Sequence, residues 1–273
     1  MSLDRLKFLA RMGYGARGLV YLVVGGLAVL AAVGAGGETT DAKGALEELL
    51  AQPLGPVIVV VLAVGLLGHA GWRFVQGAFD ADDHGTDAKG LVIRGGLLVS
   101  AFSHLALAFY AVTLVIGQRF GGGGNEGLAA WLMAQPYGRY LVGAVGAAII
   151  GAGASQIWKG LRQRYERRLA LDEQKLAALS PICAFGLTAR GLVFCIVGGL
   201  FVYAGVHVQP EEARGLDGAL TWLRAQPAGP VLFSVIALGL VAFGIYSFIL
   251  AIWREIRHDG DSEASILPAK PTF

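Results

Sequence analysis

The sequence predicts an all-α membrane protein: six transmembrane helices in three parallel two-helix repeats, arranged about a pseudo-threefold axis, with three short periplasmic interfacial helices. The phrase Leu49-Leu50-Ala51-Gln52-Pro53-Leu54-Gly55 returns as Leu132-Met133-Ala134-Gln135-Pro136-Tyr137-Gly138 and as Leu223-Arg224-Ala225-Gln226-Pro227-Ala228-Gly229, so one unit is written three times. Each copy ends a short amphipathic stretch and opens an apolar run long enough to cross a bilayer. Hydrophobic residues make up 55% of the chain and charged residues 15%, against about 25% charged in soluble domains, and mean hydropathy is +0.60.

The apolar runs place spans near 13–35, 54–78, 92–117, 137–159, 183–206 and 229–253. Repeat one then covers 1–90, repeat two 91–176, repeat three 177–260, and 261–273 forms a flexible cytoplasmic tail. Arg5, Lys7 and Arg11 before the first run imitate a secretory signal, yet that run has an internal twin. Arg17-Gly18-Leu19-Val20-Tyr21 and Val24-Gly25-Gly26-Leu27 match Arg190-Gly191-Leu192-Val193-Phe194 and Val197-Gly198-Gly199-Leu200, which marks a structural helix. The 41 glycines lie mostly in the apolar runs, and small residues at Gly25, Ala28 and Ala32 in span one and at Gly143, Ala147 and Gly151 in span four give stripes for close packing. Gln52-Pro53, Gln135-Pro136 and Gln226-Pro227 form elbows: proline stops the amphipathic helix, and its fixed φ suits the first turn of the next span. Thr40-Asp41 and Thr86-Asp87 read as helix N-caps.

Of the 22 Lys and Arg residues, seventeen fall on the side of the termini and five on the side of the elbows. By the positive-inside rule both termini lie in the cytoplasm, which places the chain in a bacterial inner membrane with its elbows outward. A net charge of +2 grouped by loop implies no nucleic-acid partner. Each unit has two spans, so all three insert the same way. An ungapped shift of 83 maps Arg11, Tyr21 and Pro53 onto Arg94, His104 and Pro136.

The start Gly13-Tyr14-Gly15-Ala16-Arg17-Gly18-Leu19-Val20-Tyr21, Gly65-Leu66 followed by Trp72-Arg73, and the three elbows resemble the bacterial membrane family catalogued as domain of unknown function 1206. The resemblance covers roughly 8–255. It implies six spans in three repeats and carries no activity, substrate or catalytic residue.

Repeat arithmetic aligns Arg17, Ser100 and Arg190 on odd spans, and Arg73, Gln156 and Ser247 on even ones, twenty residues after the elbow prolines. That is a rise of about 30 Å, the thickness of the hydrocarbon core, so the set lies at the inner boundary. Two readings compete: arginines snorkelling to headgroups, or a basic vestibule for an anionic lipid, a nucleotide or an acidic partner. His69 and His104 sit at similar depth in the inner half. Their equivalents are Ala152 and Phe243 for the first, Tyr21 and Phe194 for the second, which favours packed histidines over bis-histidine haem ligation or a proton relay. Asp80-Ala81-Asp82-Asp83-His84-Gly85 resembles half a calcium loop, but Leu91 stands where the bidentate Glu belongs, so a solvated acidic turn capping span three is expected. Residues 159–176 read as a basic continuation of span four that meets acidic lipid or docks a protein partner. Cys183 and Cys195, on one helix, are too far apart to bridge.

No metal-ligand set, nucleophile with base, or phosphate loop is present, so no enzyme and no cofactor are expected. Residues 22–35, 55–68 and 141–154 hold no polar side chain, a poor lining for a conduit. The expectation is an accessory, scaffold or assembly protein with a basic cytoplasmic face. The alternatives are a transporter or channel, and lipid or haem-like cofactor binding in the inner-half pocket.

Overall fold

The computed structural model describes residues 3–118, 124–163, 165–166 and 169–254, without the side chains of 3–7, 9 and 124. The expected tail 261–273 and the basic side chains of Arg5, Lys7, Arg119, Arg164, Arg167 and Arg168 lie outside that description. Among the described residues are nine α-helices: α1 (Leu3–Ala32), α2 (Ala42–Leu50), α3 (Gly55–Ala78), α4 (Ala88–Val115), α5 (Gly124–Met133), α6 (Gly138–Leu161), α7 (Glu173–His207), α8 (Leu216–Arg224) and α9 (Gly229–Trp253). Six of them, α1, α3, α4, α6, α7 and α9, are long and apolar enough to span a membrane.

The long helices pack in the order α4, α3, α1, α9, α7, α6. Glycine decides how closely. On α6 Gly146, Gly153 and Gly160 recur every seven residues and lie against α7, which carries Gly191, Gly198 and Gly205 at the same interval. A Cβ on Gly153 would stand 2.6 Å from the Gly191 carbonyl, and one on Gly198 would stand 2.6 Å from that of Gly146. The two backbones therefore touch, an approach open only to residues without side chains. Gly18 and Gly244 meet in the same way between α1 and α9. The elbow side of the bundle is filled by aliphatic and aromatic side chains, including Val24, Ala28, Leu220, Phe233 and Leu240.

The three elbows share one geometry, and it differs from the expected one. The spans begin at Gly55, Gly138 and Gly229, not at the prolines. In each copy the glycine N–H donates to the carbonyl of Gln52, Gln135 or Gln226, at 2.8, 2.9 and 2.7 Å. Leu54, Tyr137 and Ala228 take φ of 63, 61 and 59°. This is a turn with proline at its second position and a left-handed third residue, which sets the angle before the helix starts. A Cβ on the following glycine would sit 2.1 to 2.3 Å from a carbonyl of the preceding helix.

Three further expectations are corrected. Spans one and five extend beyond the apolar run, because α1 starts at Leu3 and α7 at Glu173, with Pro181 inside the latter. Asp172 caps α7 by accepting from the Lys175 N–H at 2.8 Å, which fixes the early start. Span four does not continue as a basic helix: α6 ends at Leu161, and Gln163 has φ of 51°. The chain then folds back under the bundle, where the Tyr165 hydroxyl meets Ser180 and the Leu169 backbone bridges to Arg254. Burial pushes the Tyr165 phenol up to about 12. The acidic turn is only partly solvated. Asp80 accepts from the His84 and Gly85 N–H groups at 2.8 Å, while Asp82 turns inward. Asp41 and Asp87 cap α2 and α4 as expected.

Candidate functional site

The aligned polar residues form one connected cluster at the end of the bundle that holds the termini. Arg17 on α1 is 8% exposed. Its Nε donates to Ser247 Oγ on α9 at 3.2 Å, and its guanidinium lies 5.2 Å from the Tyr14 ring and 5.0 Å from that of Phe243. Arg190 on α7 donates from Nε to the Tyr21 hydroxyl at 2.8 Å and from Nη1 to Gln156 Oε1 on α6. It lies 4.7 Å from the same Phe243 ring, so one aromatic ring holds two cations close together. Arg17–Ser247 and Arg190–Gln156 join equivalent positions of neighbouring repeats, as the sequence arithmetic implied.

On α3, Arg73 Nε donates to His69 Nε2 at 3.4 Å, and Nη1 donates to Gln76 Oε1 at 3.3 Å. His69 is fully buried, with Tyr14 edge-on at 5.2 Å and His104 of α4 at 4.5 Å, tilted by 57°. The two imidazoles are thus in direct, tilted ring contact. His104 Nδ1 lies 2.7 Å from the Ser100 carbonyl, so it carries the proton and donates.

Four members escaped the sequence reading. Arg254, just past α9, donates to the Tyr14 hydroxyl and approaches Asp82 at 3.5 Å; Asp82 in turn accepts from Gln76 Nε2 at 2.7 Å. Tyr14 and Gln76 had a readable signal, since each lies three residues from an aligned arginine and so on its face. Arg254 and Asp82 had none, because nothing local ties the end of α9 to the turn after α3.

Among the described residues, Arg254 pairs with the Asp82 carboxylate, whereas the hydrogen-bond partners of Arg17, Arg73 and Arg190 are neutral: Ser247, His69, Gln76, Tyr21 and Gln156. Three buried side-chain nitrogens among the described residues lack a hydrogen-bond partner of good geometry, His69 Nδ1, Trp72 Nε1 and Arg254 Nε, and of these the Trp72 indole is directed to the Tyr14 hydroxyl. All three are donors. The indole and guanidine nitrogens can only donate, and His69 must carry its proton on Nδ1 because Nε2 accepts from Arg73. The cluster is thus rich in cations and buried donors and short of acceptors. The buried polar side chains among the described residues are Arg17, His69, Gln76, Thr113, Ser180, Ser247 and Arg254, of which only Thr113 lies toward the elbow side. A groove of about 820 Å³ lined by Leu192, Ile196, Leu200, Trp222 and Ile236 lies on the flank of α7, α8 and α9, away from these arginines.

The segments that carry this layer are three matches to one known family. The family described as Domain of Unknown Function (DUF1206) matches residues 12–80, 95–163 and 185–254. The chain belongs to that family. Each DUF1206 segment contains one elbow; the first holds Arg17 and Arg73, the second Ser100 and Gln156, and the third Arg190 and Ser247, in agreement with the resemblance read from the sequence. A similar protein is the uncharacterised protein YxxB of Bacillus subtilis (strain 168), 32% identical over 254 residues, which cover 92% of each chain. No solved structure matches the chain.

Proposed function

We propose that this DUF1206 protein is a non-catalytic accessory protein of the bacterial inner membrane that holds an anionic group in the arginine cluster at the cytoplasmic end of its bundle. The supporting observation is the excess of donors among the described residues: three of the four guanidiniums have neutral hydrogen-bond partners, and the buried side-chain atoms without a well-placed partner are all donors. Burying guanidiniums with neutral partners costs several kcal/mol per ion, which an anion at the same place offsets. Snorkelling alone would leave the heads in water, whereas Arg17 and Arg254 are buried among aromatic rings. The apolar elbow half supports a pocket closed at one end over a continuous conduit.

The topology belongs to the same reading. Both termini are cytoplasmic, the short helices α2, α5 and α8 lie at the periplasmic surface, and the repeats are related by an axis along the membrane normal. The packing supports the axis: α3 with α4, α6 with α7 and α9 with α1 are the closely packed pairs, and each joins the even span of one repeat to the odd span of another.

Native mass spectrometry of the detergent-solubilised protein tests the anion site. Wild type should retain an anionic lipid or acidic ligand, retention should fall as salt rises, and Arg17→Ala and Arg190→Ala should each lower it at least tenfold. Retention unchanged in both variants would overturn the reading.

A further inference from the structure

Within repeat one, α1 meets α3 where a Cβ on Gly13 would strike His69 and one on Gly65 would strike Ala16. Within repeat three, α7 meets α9 at the equivalent positions, Gly186 with Phe243 and Gly239 with Ala189. The corresponding pair of repeat two, α4 and α6, does not pack together. Its residues at those positions, Gly96, Val99, Ala148 and Ala152, are all exposed, and a Cβ on Gly96 would meet nothing within 4 Å. The bundle therefore has one open flank. The small Ala152 stands where the other repeats place the interlocking rings of His69 and Phe243.

This flank opens onto hydrocarbon, but its two walls carry members of the arginine cluster. On α4 they are Ser100 and His104, the latter against His69; on α6 it is Gln156, which accepts from Arg190. A molecule moving in sideways thus passes from an apolar slot to a cationic layer near the bilayer surface. We propose that the α4–α6 opening admits one acidic phospholipid from the leaflet on the terminal side, its headgroup anion taken by the arginine cluster and its acyl chains lying along Val99, Ala148 and Ala152. This rests on the anion-holding reading above and names its ligand and route. A phospholipid already bathes the opening and carries its anion at the depth of the arginines. A partner's transmembrane helix would have to bring a carboxylate to that depth at the cost of desolvating it.

The test uses the whole protein in nanodiscs of phosphatidylglycerol and phosphatidylcholine, read by native mass spectrometry. Wild type should retain one phosphatidylglycerol in preference to phosphatidylcholine. Ala152→Phe, which installs the residue that repeat three carries at this position, fills the opening with all arginines intact and should lower that retention at least tenfold. Ala148→Leu serves the same purpose if the first variant does not fold. Full retention in the filled variants alongside loss in Arg190→Ala would overturn the route and leave the anion site standing. Equal stabilisation of lipid-free protein by inorganic phosphate and by phosphatidylglycerol would overturn the lipid as the occupant. A photoreactive benzoylphenylalanine in place of Val99 should form an adduct with the mass of a phospholipid, and an adduct with a polypeptide instead would overturn it as well.

Discussion

Gly151 and Gly153 sit two residues apart on α6 and face different surroundings. Any side chain on Gly153 collides with the Gly191 backbone at 2.6 Å, whereas one on Gly151 meets nothing within 4 Å. Gly153→Leu should separate α6 from α7 and destabilise the protein by at least 1 to 3 kcal/mol, roughly the cost of overpacking. Gly151→Ala should stabilise it by up to about 1 kcal/mol, through helix propensity. Thermal unfolding in detergent checks both, and equal melting of the two variants would show that glycine spacing does not set the helix approach. The stripe expected on span one does pack, with Gly25 against Val241 and Ala28 buried. The one expected on span four at Gly143, Ala147 and Gly151 is corrected to Gly146, Gly153 and Gly160, because the contact face depends on the rotation of each helix about its own axis. The polar layer was more legible: Arg17, Arg73, Arg190, Gln156, His69 and His104 were aligned by repeat arithmetic alone, and they do converge. Arg254 was not, since its partners Tyr14 and Asp82 lie 240 and 172 residues away.

At the scale of elements, the elbow proline works by stiffening a turn rather than by starting a helix. Pro53→Ala, Pro136→Ala and Pro227→Ala should each lower stability by about 0.4 to 1 kcal/mol through the freer unfolded chain. Ala228→Gly should raise it by about 1 kcal/mol, by relieving a left-handed residue. Melting temperatures that fail to move in these opposite directions would place control of the elbow elsewhere. The acidic hook after α3 gives a pH dependence. The His84 N–H, then the Gly85 N–H and the nearby Arg94, hold the Asp80 carboxyl below the usual carboxylate range. Its contribution is therefore full above that range and is lost as pH falls through the lowered value. Between pH 5 and roughly 3, wild type should lose more stability than Asp80→Ala, whose hook is already absent. The elbows were readable because a repeated phrase exposes a shared local geometry. The reach of α1 and α7 past the apolar run was not, because hydropathy ends at the membrane surface and helices do not.

For the molecule as a whole, orientation is the sharpest expectation. Single cysteines at Glu38, Glu126 and Glu211 in a cysteine-free background should react with an impermeant thiol reagent from the periplasmic side. Labelling only from the cytoplasm would invert the topology. The open flank at repeat two was only half visible in advance: the shift of 83 aligned Ala152 with His69, but a small residue at one position does not reveal that two helices part. The packing order α4, α3, α1, α9, α7, α6 also bears on biogenesis. The first and last long helices are neighbours in the middle of that order, and Arg17 meets Ser247 across 230 residues of chain. A nascent protein leaving the ribosome inserts α1 with one flank bare and holds Arg17 in the bilayer until α9 emerges. The cationic layer is thus completed only when α9 joins α1, after the four long helices between them have been made.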